Sequence, residues 1–187
     1  MNATLARFLD NPLVKGPLIG LAGGAALDAL STFIYENEDL ATRIAEDAAR
    51  GNRHAYEVAV SQIAGAFGKQ LDRRQEKELG WRFHQGFGVL GGIGYAALRR
   101  RNKRVGVGMG LLFGAAFFLI ADELMMPLLG WTPGPRRFSW KVHARGAVSH
   151  VAYGVAAEAA ARLLDRAVAN PRLRPVPNRA SGSVMMS

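Results

Sequence analysis

Two aspartates and a histidine, Asp28, Asp122 and His150, stand inside otherwise apolar stretches of this 187-residue chain. A carboxylate facing an imidazole can do three kinds of work. It can act as polar glue, fixing the register of neighbouring helices through hydrogen bonds. It can take up and release a proton near neutral pH, as a relay. With further ligands it can hold a metal such as zinc, although no two histidines stand four apart on one helix here. Chain spacing puts the three groups at a common level. At about 1.5 Å per helical residue, Asp28 lies roughly 10 Å from the end of its run at Tyr35. Asp122 and His150 lie about 12 Å from Gly130 and Val142, the ends of theirs. His84, Glu123 and His143 fall nearer the same surface, which completes an expected polar cluster of six residues. Polar glue is the leading reading. No Ser or Thr motif accompanies the histidines, so no nucleophile–base pair is legible, and neither an enzyme nor a cofactor is expected. Glu158 falls toward the opposite face and has Arg162 four residues on as an ion-pair partner. His54 reads as a surface residue.

Four apolar runs must carry these groups. The third, residues 105–127, opens with seventeen uncharged residues and follows five bases packed into residues 99–104. That pattern reads as a membrane-spanning helix starting at a charged interface. The others are 18–35, broken only by Asp28, then 81–98, and last 142–164, which holds Arg145 and Glu158 besides His150. Each carries small residues in steps of four. Gly20 and Gly24 lead to Asp28, and Gly88 and Gly92 follow His84. Gly106, Gly110 and Gly114 lead through Phe118 to Asp122, while Gly146 and Gly154 flank His150. In lipid, such stripes let helices approach closely, because association there depends on packing. Gly86, Gly88 and Gly91 also satisfy a dinucleotide-binding pattern, but no strand precedes them, so the match is a decoy.

Between the first two runs lies a polar arm, residues 36–80, with nine acids and seven bases. It reads as two short amphipathic helices, the first capped by Asn37 and ended by Gly51, the second capped by Asn52. These lie on a membrane surface or pack over the bundle, and residues 73–78 read as a solvated charge run. The expected fold is all-α: a single four-span membrane domain over residues 1–169, followed by a basic, disordered tail at 170–187. A cleaved signal peptide fits poorly, since the apolar run at 18–35 outlasts any cleavage site. The net charge is +9 and cysteine is absent. The densest bases flank apolar runs, so the partner implied is the lipid bilayer and not nucleic acid. The five-base cluster sits in a very short loop, and Trp81, Trp131 and Trp140 all fall at the opposite face. Both termini are therefore assigned to the inner side.

The string from Ala121 to Gly130, then Pro135, Phe138, Trp140 and residues 143–146, then Ser149, His150, Tyr153 and Gly154, resembles the YagU-like family. So do Asp28 with residues 31–36, and Gly94 with Tyr95. That family consists of small multi-spanning proteins of the bacterial inner membrane with no assigned reaction. The resemblance spans roughly residues 16–165 and implies a four-helix inner-membrane protein without supplying catalytic residues. The expected function is structural or stress-related, alone, as a homo-oligomer or in a larger membrane assembly. The alternative is a small proton- or ion-linked transporter or channel that uses the Asp/His cluster.

Overall fold

The computed structural model describes residues 8, 10–106, 108 and 110–169; among them there is no strand. The tail at 170–187 and Val107, within the third apolar run, lie outside the described residues. Helix α1 (Pro12–Glu36) starts where the Asn11 side chain accepts from the Leu13 N–H, with Pro12 at its first position. Asn37 closes this helix instead of opening the next, because its backbone N–H is spent on α1 carbonyls. Helix α2 (Leu40–Arg50) is therefore capped by Asp39, and Gly51 ends it in the left-handed conformation. Helix α3 (Ala55–Ala66) begins at His54, not Asn52, and the Glu57 carboxylate accepts from the His54 N–H. Helix α4 (Arg73–Arg101) and helix α6 (Trp140–Ala169) are the longest, each about 45 Å by helical rise.

The third apolar run differs from its expected form. Its helix, α5 (Leu111–Leu128), starts at Leu111 and not at Val105. Residues Lys103–Gly106 make a 3₁₀ turn, and Gly108 and Gly110 take φ of +71° and +79°, which no α-helix accommodates. Gly106 and Gly110 thus share no helical stripe with Gly114. Within α5, Leu119–Met125 winds as a π-helix. Pro127 has no N–H for the Glu123 carbonyl, and the wider winding just before it accommodates that loss. Two helices, α1 and α5, are long and apolar enough to cross a membrane.

The bundle is assembled by backbone approach. Helix α1 packs along both α4 and α6, and α5 packs along α6. A Cβ on Gly16 would meet the Ile93 Cα at 2.6 Å, and one on Gly20 the Gly88 carbonyl at 2.5 Å. On Gly92 it would overlap the Gly20 backbone. Across α5 and α6, a Cβ on Gly110 or Gly154 would strike the other's carbonyl, and one on Gly114 the His150 carbonyl. Gly106 lies against the Glu158 carboxylate, and Gly146 against the Phe118 ring. Gly24 is different: a Cβ there meets nothing within 4 Å, so it is not a contact of this kind. Aromatic rings fill the middle. Tyr95 meets Phe113 edge-on at 4.7 Å, and Phe117 bridges Phe87 and Tyr153.

The arm is tied down by charge. Residues 73–78 form the first turns of α4; Arg73, Arg74, Lys77 and Glu78 are exposed, as expected of a solvated charge run, but Glu76 is buried. Arg53 and Arg73 reach Glu76 at 2.6 and 2.9 Å, and Arg73 also reaches Glu57 at 3.1 Å. Gly80 lets the α3 backbone sit against α4, since a Cβ there would be 3.0 Å from the Glu57 nitrogen. Helix α2 turns its charges inward. Buried Arg145 of α6 donates to Glu46 at 2.5 Å and to Glu38 at 2.7 Å, and Arg50 also pairs with Glu46. The opposite face of α2, with Leu40 and Ile44, is exposed.

Two predictions follow from these contacts. Gly114→Leu must push α5 off α6 and should cost at least about 3 kcal/mol, the upper range for overpacking, because backbone cannot yield as a side chain does. Ala115→Leu, on the exposed side of the same helix, should be nearly neutral. Equal melting temperatures for the two would refute the contact. Burial pushes the Glu76 carboxyl up, but its bonds to Arg73 and the nearby Arg53 outweigh that and hold it below its ordinary value. Its contribution is therefore present above the unfolded carboxylate range near pH 4.5 and is lost as pH falls through the folded value. Glu76→Gln should lower stability at pH 7 by about 1–3 kcal/mol and flatten the acid limb of a pH–stability curve.

Candidate functional site

The six polar residues come from four helices. Helix α1 brings Asp28, α4 brings His84, the π-wound turn of α5 brings Asp122 and Glu123, and α6 brings His143 and His150. They form three separate contacts. His84 Nε2 lies 2.7 Å from Asp28 Oδ1, and the Gln85 amide donates to Asp28 Oδ2 at 3.1 Å. His143 Nδ1 lies 2.6 Å from Glu123 Oε1, and its Nε2 lies 3.0 Å from the Pro135 carbonyl. His150 Nδ1 donates to the Gly146 carbonyl at 2.9 Å and is 3.7 Å from Asp122 Oδ2. That last approach is an ion-pair distance, too long for a hydrogen bond. Asp28 thus has His84 as its partner, and His150 spends its Nδ1–H on its own helix.

Each contact dictates a proton count. The Pro135 carbonyl only accepts, so His143 Nε2 carries hydrogen. The other nitrogen then shares one proton with Glu123, as imidazolium and carboxylate or as two neutral groups. At His84, an Nε2–H directed at Asp28 leaves Nδ1 as an acceptor. That atom is buried without a partner among the described residues. Tyr56 of α3 covers the same ring, with centroids 4.5 Å apart. Burial drives the Tyr56 hydroxyl up, and the charges of Asp122 and Asp28 add to this. A cavity of about 20 Å³ lies among Gly24, Tyr56, His84, Gln85, His150 and Tyr153. That is room for about one water. Among the described residues no three of His, Asp and Glu stand close enough to hold a metal ion.

A second network occupies the opposite end of the bundle. Glu158, buried on α6, accepts from Tyr95, from Arg99 at 2.8 Å and from Arg162 at 2.5 Å. Arg99 continues to Asp165 at 2.5 Å, and Lys15 joins Asp165 and Asp10 at 3.1 and 2.6 Å. The Glu158–Arg162 pair follows from i,i+4 spacing, but Tyr95, Arg99 and Lys15 come from other helices and carry no local signal. Arg145 did carry one: a base inside an apolar run needs an acid, and the arm is rich in acids.

Fold and site together define an all-helical protein with two helices fit to cross a membrane and paired charges at both ends. The family described as "Protein of unknown function (DUF1440)" matches residues 66–159, just over half the chain, from the end of α3 into α6. The chain belongs to that family. No curated protein and no solved structure matches it.

Double-mutant cycles read as melting temperature distinguish three pairs from one shared site. Asp28→Leu with His84→Phe should show a coupling of about 1–3 kcal/mol, the range for a charge-assisted hydrogen bond. Asp28→Leu with His150→Phe should be additive within about 0.5 kcal/mol. The reverse pattern would overturn the pairing.

Proposed function

We propose that the chain is a four-span protein of the bacterial inner membrane, YagU-like in kind, with a structural and not a catalytic role. One observation carries this reading: many large apolar side chains face outward, while several charged groups are buried and paired inside. Leu18, Phe33, Leu90, Leu112, Ile120, Leu128 and Leu163 are all more than half exposed. The interior holds Gly, Ala and Tyr together with Arg145, His150 and Glu158. In water that arrangement is unfavourable, whereas in hydrocarbon it is the favourable one. Helices α4 and α6 carry more charge than α1 and α5, but their charges pair inward or sit near their ends, and both exceed the bilayer's length requirement.

The basic loop at 99–104 and the three tryptophans at the other end support both termini inside. The exposed apolar surface meets lipid, and part of it also suits another copy of the chain or a larger membrane assembly. The polar contacts act as internal glue. A small proton- or ion-linked transporter is the second reading, favoured by one observation, the Asp122 carboxylate held 3.7 Å from His150 without a hydrogen bond to it. The glue reading leads because the cavity beside these groups admits about one water.

Reporter fusions test the topology. Fusions after residues 102 and 180 should report the cytoplasm, and fusions near residues 60 and 134 the opposite side. Agreement of all four positions, or release of the protein from membranes by alkaline carbonate, would sink the reading.

A further inference from the structure

At the end of the bundle away from the histidines, a cavity of about 90 Å³ opens between α1, α4 and α6. Its floor is apolar and buried: Ile19, Ala96 and Ala161. Its rim carries three bases, Lys15, Arg99 and Arg100, and one acid, Asp10. Lys15 is the unusual member. Its side chain is only 9% exposed, yet its two carboxylate partners, Asp10 and Asp165, are 56% and 33% exposed. A buried ammonium is thus held at a cavity mouth between an exposed acid, Asp10, and a half-buried one, Asp165. Arg99 is already committed to Glu158 and Asp165, which orients its guanidinium at the rim. Arg100 is exposed and extends the positive edge. Helix α1 begins at Pro12, so its positive end lies at the same level as Lys15.

We propose that this cavity binds a phosphate group, with Lys15 and Arg100 as its direct ligands and Asp10 as the competitor that it displaces. In a bilayer the natural source is an anionic phospholipid headgroup, since basic pockets between helix ends on the cytoplasmic side suit such groups. The lipid source rests on the membrane reading above; the phosphate chemistry does not. The apolar floor fits the carbons next to the phosphate and offers no polar group to compete for the bases. Lys15 stays paired with Asp165 when Asp10 leaves, so no buried charge is left alone.

The test measures melting temperature of the purified full chain titrated with phosphatidylglycerol, with phosphatidylcholine and with inorganic phosphate. Phosphatidylglycerol should stabilise and phosphatidylcholine should not. Asp10→Asn should tighten the apparent affinity about threefold and Arg100→Gln weaken it about threefold, the size expected for one partly exposed charge. Arg101→Gln, which does not line the cavity, should match the parent. Stabilisation by inorganic phosphate with the same variant pattern assigns the site to free phosphate, and its absence assigns it to the lipid. Equal response to both lipids, equal effects of the Arg100 and Arg101 variants, or no gain from Asp10→Asn would each overturn the proposal. Melting temperatures without additive show that the variants fold. Failure of the membrane reading appears separately, as a chain soluble without detergent.

Discussion

Two seams of backbone-to-backbone contact set the spacing on which everything else depends. Gly16 and Gly20 of α1 meet residues 88–93 of α4, and Gly110 and Gly114 meet residues 150–154 at α6. Without side chains between them the helices sit close, and little room is left inside. The core is Ile19, Ala96, Ala157 and Ala161 with Tyr95 and Tyr153, while most of the large aliphatic side chains face outward. Dispersion across such closely packed backbone contributes to the cohesion.

Close packing also constrains the charges. An ion buried in so tight an interior has no water to turn to, so each needs a partner on a neighbouring helix. Arg145 has Glu46 and Glu38, Glu158 has Arg99, Arg162 and Tyr95, and Asp28 has His84 and Gln85. These pairs sit at the two ends of the bundle, with aromatic rings between. Removing one partner of such a buried pair is more damaging than never having had the pair.

The arm belongs to this scheme and is not an appendage to it. Its acids Glu57 and Glu46 neutralise Arg73 of α4 and Arg145 of α6, and Tyr56 lies over His84. With its charges turned inward, α2 presents Leu40 and Ile44 outward, continuing the apolar surface of Phe33 on α1. The family match begins only at residue 66, so α1 and most of the arm fall outside the matched segment although they complete its contacts.

Much of the helical framework was legible in the chain, because period, length and end signals are local. Gly51 ends α2, the Glu158–Arg162 pair obeys i,i+4 spacing, and apolar runs mark four of the helices. What the sequence could not determine is which group faces which. A one-residue change of register rotates a side chain by about 100°, so partner choice depends on how whole helices settle. Glycine's freedom is the second limit. Gly114 lies within α5 and Gly110 caps it in the left-handed conformation, yet both sit against α6 carbonyls, so residue type alone does not tell helix from helix end. The π-turn before Pro127 is the third, since it re-aims Asp122 and Glu123 toward two different histidines. Composition and periodicity determined that this chain makes close-packed helices with acids and imidazoles at one end. Tertiary packing alone decided that these groups meet as three separate pairs, because pairing depends on rotations and offsets that no local signal carries.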